Sequence, residues 1–325
     1  MKVSHLIIIL MFSVMLIGNS PTEQQKRYFE HRIKKGESVS LICIDYYGRY
    51  TPKMGDAIKR LNPVISDINL IHAGNFLKLQ KPGASSKKSS REVKLFEKKV
   101  AVSQGVVTCV EGTAYLMKKG GTGKKNLTVN TLVVPGDVIE TAANGRVEII
   151  VNRESVVRMK ENSRLTMEAF RDAPGKKGKT KCGLKGGTIW TKVKKFTGKL
   201  CRFELSLPTA VAGVYGTVYQ TSLDKDSSAE VKVYHGEVAV KNQPSAQKAT
   251  APGEPGEVPG PNEVPGPHEV SMEEWTRIVR SMQKITIGKD GTPSAVTPFK
   301  KQPSDSWEQW NEERDKRIAE LFSEQ

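Results

Sequence analysis

Apolar residues recur along this chain in distinct rhythms, and each rhythm predicts a different kind of element. Leu6 to Gly18 is an almost unbroken apolar run behind Met1-Lys2, the layout of an export signal. It is shorter than the roughly 20 apolar residues that span a bilayer. A cleaved signal peptide over residues 1–20 is therefore expected, with a short uncleaved anchor as the alternative because Pro21 directly follows the small Ser20. Between 28 and 82 the periods mix. His31 to Lys34 suits a short strand, and Val39, Ile42, Cys43 and Tyr46 recur at helical spacing. Ile58 and Leu61 mark a second helix stopped by Asn62-Pro63, and Phe76, Leu77 and Leu79 supply a closing strand.

Between 100 and 242 the period falls to two. Ile189, Thr191 and Val193 alternate with Trp190, Lys192 and Lys194, and Val231 and Val233 alternate with Lys232 and Tyr234. Arg146–Val151 and Ser155–Lys160 flank Asn152-Arg153-Glu154 as a hairpin. An all-β sandwich or roll is expected there. Past 271 the helical rhythm returns. Ser271 with Glu274 forms a capping box ahead of a stripe of Trp275, Ile278, Val279, Met282 and Ile285. A second helix runs from about Ser306 with Trp307, Trp310, Ile318, Leu321 and Phe322.

Composition marks the joints. Lys81 to Arg91 is rich in Ser and Lys, giving a linker over 83–99. From Glu257 the hexapeptide Glu-Val-Pro-Gly-Pro-Asn is followed by Glu-Val-Pro-Gly-Pro-His, which builds neither helix nor central strand. Residues 243–270 therefore read as a second linker. The expected architecture is multidomain α+β: a small βααβ domain at 28–82, a mainly-β domain at 100–242, and a helical tail at 271–325.

The chain carries 51 Lys and Arg against 35 Asp and Glu, a formal charge of +16, which favours anionic partners. Export makes nucleic acid an excluded partner. It leaves membrane contact only to an uncleaved signal. The cluster Arg171, Lys176, Lys177, Lys179, Lys181 and Lys185 reads as a solvated loop, with docking to anionic envelope polymers as the alternative. The four cysteines form no C-x-x-C pair, which argues against a zinc ribbon or thioredoxin-type site. In an oxidising compartment Cys182 and Cys201 are the candidate disulfide, although simple hairpin register around Thr197-Gly198 does not set them opposite each other. Two ordinary buried thiols are the alternative.

The first domain has a specific resemblance. His31-Arg-Ile-Lys-Lys-Gly-Glu-Ser-Val39, Tyr46-Tyr47-Gly48, Ile58 to Pro63, and Asn69-Leu-Ile-His-Ala-Gly-Asn-Phe-Leu-Lys-Leu79 resemble the lysin motif, LysM. The resemblance implies a βααβ fold that binds N-acetylglucosamine polymers, peptidoglycan or a related glycan, between the loop after the first strand and the loop before the last. Carried over, the lining is Gly36, Glu37, Ser38 and Val39 on one side and Asn62, Pro63, Leu70 and Ile71 on the other. Backbone groups of the two loops would meet acetamido groups there, and Val39 and Ile71 would contact their methyls. The alternative is that these residues only make turns and core.

The second domain resembles the FecR family. The matching runs are Pro135-Gly-Asp-Val-Ile-Glu-Thr141, Asn144-Gly-Arg-Val-Glu148, Gly187-Thr-Ile-Trp190, Leu207-Pro-Thr-Ala-Val-Ala-Gly-Val-Tyr-Gly-Thr217 and His235-Gly-Glu-Val-Ala-Val240. That resemblance implies envelope regulators that pass an iron-uptake signal to a sigma factor through a cytoplasmic segment ahead of one membrane span. Only five residues precede the apolar run here, so an extracytoplasmic interaction module presented to an unidentified envelope protein is the favoured expectation, and FecR-type signalling the alternative.

No enzyme is expected. A wall hydrolase needs a carboxylate pair, an activated Cys or a zinc site. His31, His72, His235 and His268 lie in four separate segments without metal-ligand spacing. Catalytic residues, metal ligands and cofactors are accordingly assigned as none. The sequence reading is a non-catalytic protein of the periplasm or cell envelope, with an accessory role beside a wall hydrolase as a third possibility.

Overall fold

A computed structural model describes residues 27–82, 104–153, 155–170, 179–195, 203–242 and 275–319. The export signal, the whole 83–99 linker, the Pro/Gly hexapeptides, the capping box of Ser271 and Glu274, Arg171, Lys176 and Lys177 of the lysine cluster, and Cys201 lie outside the described residues.

The N-terminal unit runs β1 (Tyr28–Arg32), α1 (Val39–Tyr47), α2 (Pro52–Leu61) and β2 (Phe76–Gln80). β1 and β2 pair antiparallel, from Tyr28 opposite Gln80 to Arg32 opposite Phe76. Ser38 caps α1 by accepting from the Leu41 amide, and Gly48 ends it with φ +76° and an amide bond to the Ile44 carbonyl. Thr51 caps α2 and Pro52 occupies its first turn. Seven of the nine α1 residues are buried, among them Val39, Ile42 and Ile44. A helix without a polar face must be covered on both sides. One cover is the unit's own core of Tyr47, Met54, Ile58, Leu77 and Leu79, and the other is Val106, Ile150 and Val156 from the second region, all in one buried cluster.

That second region contains β3 (Gly105–Glu111), β4 (Ala114–Met117), β5 (Lys125–Asn126), β6 (Leu132–Val133), β7 (Val138–Thr141), β8 (Arg146–Val151), β9 (Ser155–Met159), β10 (Arg164–Ala169), β11 (Thr180–Val193), β12 (Phe203–Ser206), β13 (Ala210–Leu223) and β14 (Ala229–Asn242). These are followed by β15 (Thr276–Arg280), β16 (Gln283–Ile287), β17 (Thr297–Pro298) and α3 (Ser306–Arg317). The fifteen strands form one hydrogen-bonded sheet that folds over a single apolar core. Two long strands change partners midway. β13 pairs with β12 up to Val214 and with β11 from Val218, and β14 pairs with β16 through Val233 and with β15 from Glu237. The bends fall at Gly216 and Gly236, with φ +61° and +84°. A side chain on Gly236 would lie 2.8 Å from the Gly216 carbonyl oxygen, so both the dihedral and the spacing exclude one. The β8–β9 hairpin forms around Asn152 and Arg153, both with positive φ.

One expectation is corrected. Residues 276–287 are two successive strands, β15 and β16, laid end to end antiparallel along β14, instead of the first tail helix. A kink at Ser281-Met282 separates them, where Met282 takes φ +61° and its amide donates to the Val233 carbonyl. Val279, Ile285 and Ile287 are fully buried on the core face, while Ile278 stands 40% exposed. The apolar spacing fits either period, and the β-branched run with the free edge of β14 decides for strands. The tail therefore extends the β-sheet, and among its described residues α3 is the one helix. Cys182 is buried 3.9 Å from the Met167 sulfur, the parallel pairing of β11 with β12 places it opposite Leu205, and its candidate partner Cys201 lies outside the described residues.

Candidate interaction site

The expected glycan lining is divided by the fold. Gly36 sits in a turn with φ +81°, and its carbonyl accepts from Arg314 Nη1 at 2.6 Å. Glu37 turns inward: its Oε2 accepts from the Lys34 amide at 2.7 Å and lies 2.8 Å from His31 Nε2. Partial burial opposes the charged form of Glu37, yet the His31 contact and the Lys34 amide outweigh it and lower its pKa. Ser38 is spent as the α1 cap and contacts the Ser40 hydroxyl at 3.1 Å. Val39 is fully buried. Asn62 is buried too, donating to the Ile58 and Lys78 carbonyls and accepting the Lys78 amide.

On the far side, Pro63 and Leu70 are exposed and Ile71 is half-buried. Leu70 and Ile71 line a groove of about 440 Å³ with Val64 and Phe76, and Val64, Leu70 and Phe76 are 91%, 63% and 60% exposed. None of Gly36 to Val39 lines that groove. The structure does not bring the two halves of the expected lining together in one open cleft.

Another residue joins the two sides. Asn130, held at φ +65° after β5, accepts the Ser40 amide on Oδ1 at 2.7 Å. Its Nδ2 donates to the Ile68 carbonyl at 3.2 Å and to Asn69 Oδ1 at 2.9 Å. Ser40 Oγ donates to the Val107 carbonyl at 3.2 Å. A carboxamide of the chain itself therefore ties the first turn of α1, next to Val39, to the loop that leads toward Leu70 and Ile71.

The second anchor is α3, started by Asp305, whose side chain accepts the Trp307 and Glu308 amides. Trp307 and Trp310 stack with centroids 5.3 Å apart, in a buried cluster with Trp190 and Tyr234. Their indole N–H groups donate to Gln220 and Glu111 at 3.1 and 2.8 Å. One turn further, Arg314 reaches Glu148 with both Nε and Nη2. Glu148 also accepts from Arg158 Nε at 2.8 Å and from Thr108 Oγ1 at 2.8 Å. Arg158 Nη1 bonds the Asn311 carbonyl and pairs with Asp315 at 2.8 Å, and Asp315 also meets Lys192 at 3.2 Å. Glu148 and Arg158 are fully buried. Burial alone would raise the Glu148 pKa, but Arg314 and Arg158 outweigh it and hold the carboxyl at about 2; Glu148 in turn raises that of Arg314.

Sequence reading missed Asn130, Glu148, Arg158 and Arg314. A signal for one pair existed: the hairpin centred on Arg153 sets Glu148 opposite Arg158, two charges inside otherwise apolar strands. The site holds charge, hydrogen bonds and aromatic packing. Among the described residues no group of three His, Cys, Asp or Glu side chains could hold a metal ion.

The family described as FecR protein matches residues 137–239, and the stretch β7 to β14 is thus a FecR domain. The match leaves 28–82 outside, so the lysin-motif resemblance gains no support from it. No curated protein matches the chain. Two crystal structures of a "putative anti-sigma factor" from Parabacteroides distasonis ATCC 8503 are similar to it. They have TM-scores of 0.36 and 0.37 at 14% and 12% identity, over 53% and 57% of this chain. The chain spans 64% of the first and 74% of the second, and neither score reaches the level at which a shared fold follows. Among the described residues no helix is long and apolar enough to cross a membrane.

Proposed function

We propose that this chain is a non-catalytic regulatory protein of the FecR type that acts in the cell envelope through a protein partner. The FecR domain at 137–239 carries the reading. Glycan binding as the primary role is set aside: Val39 and Asn62 are buried, Gly36 is bonded to Arg314, and Asn130 ties α1 to the loop before Leu70. A regulator requires no reacting groups, only surfaces whose exposure changes with binding. The test is transcript profiling of a strain lacking the chain, against the same strain complemented with it. A discrete set of genes should shift several-fold and return on complementation. An unchanged transcript profile together with altered wall composition would overturn the proposal.

A further inference from the structure

Helix α3 differs from the elements beside it in how it is held. β15 and β16 belong to the sheet through backbone ladders on β14, whereas the grip of α3 on the sheet runs through side chains. One grip is aromatic: Trp307 and Trp310 against Trp190 and Tyr234, with Arg146 5.8 and 5.7 Å from the two indole rings. The other is ionic, through Arg314 and Asp315. Residues 300–304, which lead into the helix from β17, are exposed.

The charges that α3 would leave behind already have partners. Glu148 and Arg158 face each other across the β8–β9 hairpin at 2.8 Å, and Thr108 donates to Glu148 independently of the helix. Removing one partner of a buried pair is costly because a naked charge remains. Withdrawing α3 as a body leaves an ion pair and opens it to water. The helix also touches a third body: Arg314 bonds the Gly36 carbonyl, and Ile318, just past its end, is fully buried in the core shared by α1 and β3. The helix thus holds the Gly36 turn through Arg314, while Ser40 is held independently by Asn130 and the Val107 carbonyl.

We propose that α3 is a releasable strap: it opens as a unit while the sheet stays folded, and its opening frees the Gly36 turn. This goes beyond the regulatory reading and stands on the contacts of the helix alone. Native-state hydrogen exchange of the full chain, across guanidinium concentrations below the unfolding transition, tests it. Amides of Gln309 to Ile318 should open about 100-fold more often than those of β13 and β14, and the Glu37 amide, which closes the Gly36 turn onto the Lys34 carbonyl, should follow the helix. Arg314→Met should raise opening in both segments by about 10-fold or more and leave β13 and β14 unchanged. Exchange of α3 only through global unfolding overturns the proposal, as does an Arg314→Met effect spread evenly over the sheet. Should the variant fail to fold, the wild-type exchange decides.

Discussion

Neutralising Glu148 gives the sharpest energetic prediction. Its carboxyl accepts from Arg158, Arg314 and Thr108 inside the protein, and its pKa lies at about 2 against an ordinary 4.5. That difference corresponds to about 3 kcal/mol of folding stability at neutral pH. The pKa is depressed on folding, so the contribution is complete above the unfolded value and is lost as pH falls toward 2. About 1 kcal/mol should remain at pH 3. Glu148→Gln removes the charge and leaves two buried guanidinium groups facing an amide, a loss of about 3–5 kcal/mol at pH 7. Guanidinium unfolding followed by tryptophan fluorescence measures both proteins at pH 7 and pH 3. The gap between them should narrow to about 1–3 kcal/mol in acid, because the wild type gives up the same interaction. A gap that is equal at both pH values would refute the assignment of Glu148 as the charged centre of the network.

Three further outcomes follow from the packing. Asn130→Ala, which breaks bonds to Ser40, Ile68 and Asn69 and places alanine at positive φ, should cost about 2–4 kcal/mol in denaturant unfolding. Gly236→Ala, with its new carbon 2.8 Å from the Gly216 oxygen, should destabilise by about 2 kcal/mol or more in thermal unfolding. Cys43 and Cys182 are fully buried and burial raises both thiol pKa values, so neither should react with a thiol reagent at pH 8 until guanidinium unfolds the chain. Mass mapping of the labelled cysteines reads that directly.

The β region was legible because alternation is a local signal: the 146–160 hairpin and the stripes of β11 and β14 follow from neighbouring residues. The α3 helix was legible for the same reason, its Trp307 and Trp310 falling on the buried side. Residues 276–287 were misread because Trp275, Ile278, Val279 and Met282 satisfy a helical stripe by spacing, while the free edge of β14 that claims them lies some forty residues earlier. The interface itself is long-range. Asn130 meets Ser40 across 90 positions and Arg314 meets Gly36 across 278, which no local period encodes. One trace was present: α1 has almost no polar face, a sign that something besides its own unit had to cover it.

The account turns on whether the two loops of the N-terminal unit serve the chain's own sheet or a glycan. Co-sedimentation of the full chain with peptidoglycan stripped of protein and anionic polymer, at about 1 M salt to screen the net charge of +16, asks this most directly. The account predicts that the chain stays in the supernatant. Sedimentation that survives the salt and is lost on replacing Leu70 and Ile71 with alanine would contradict it.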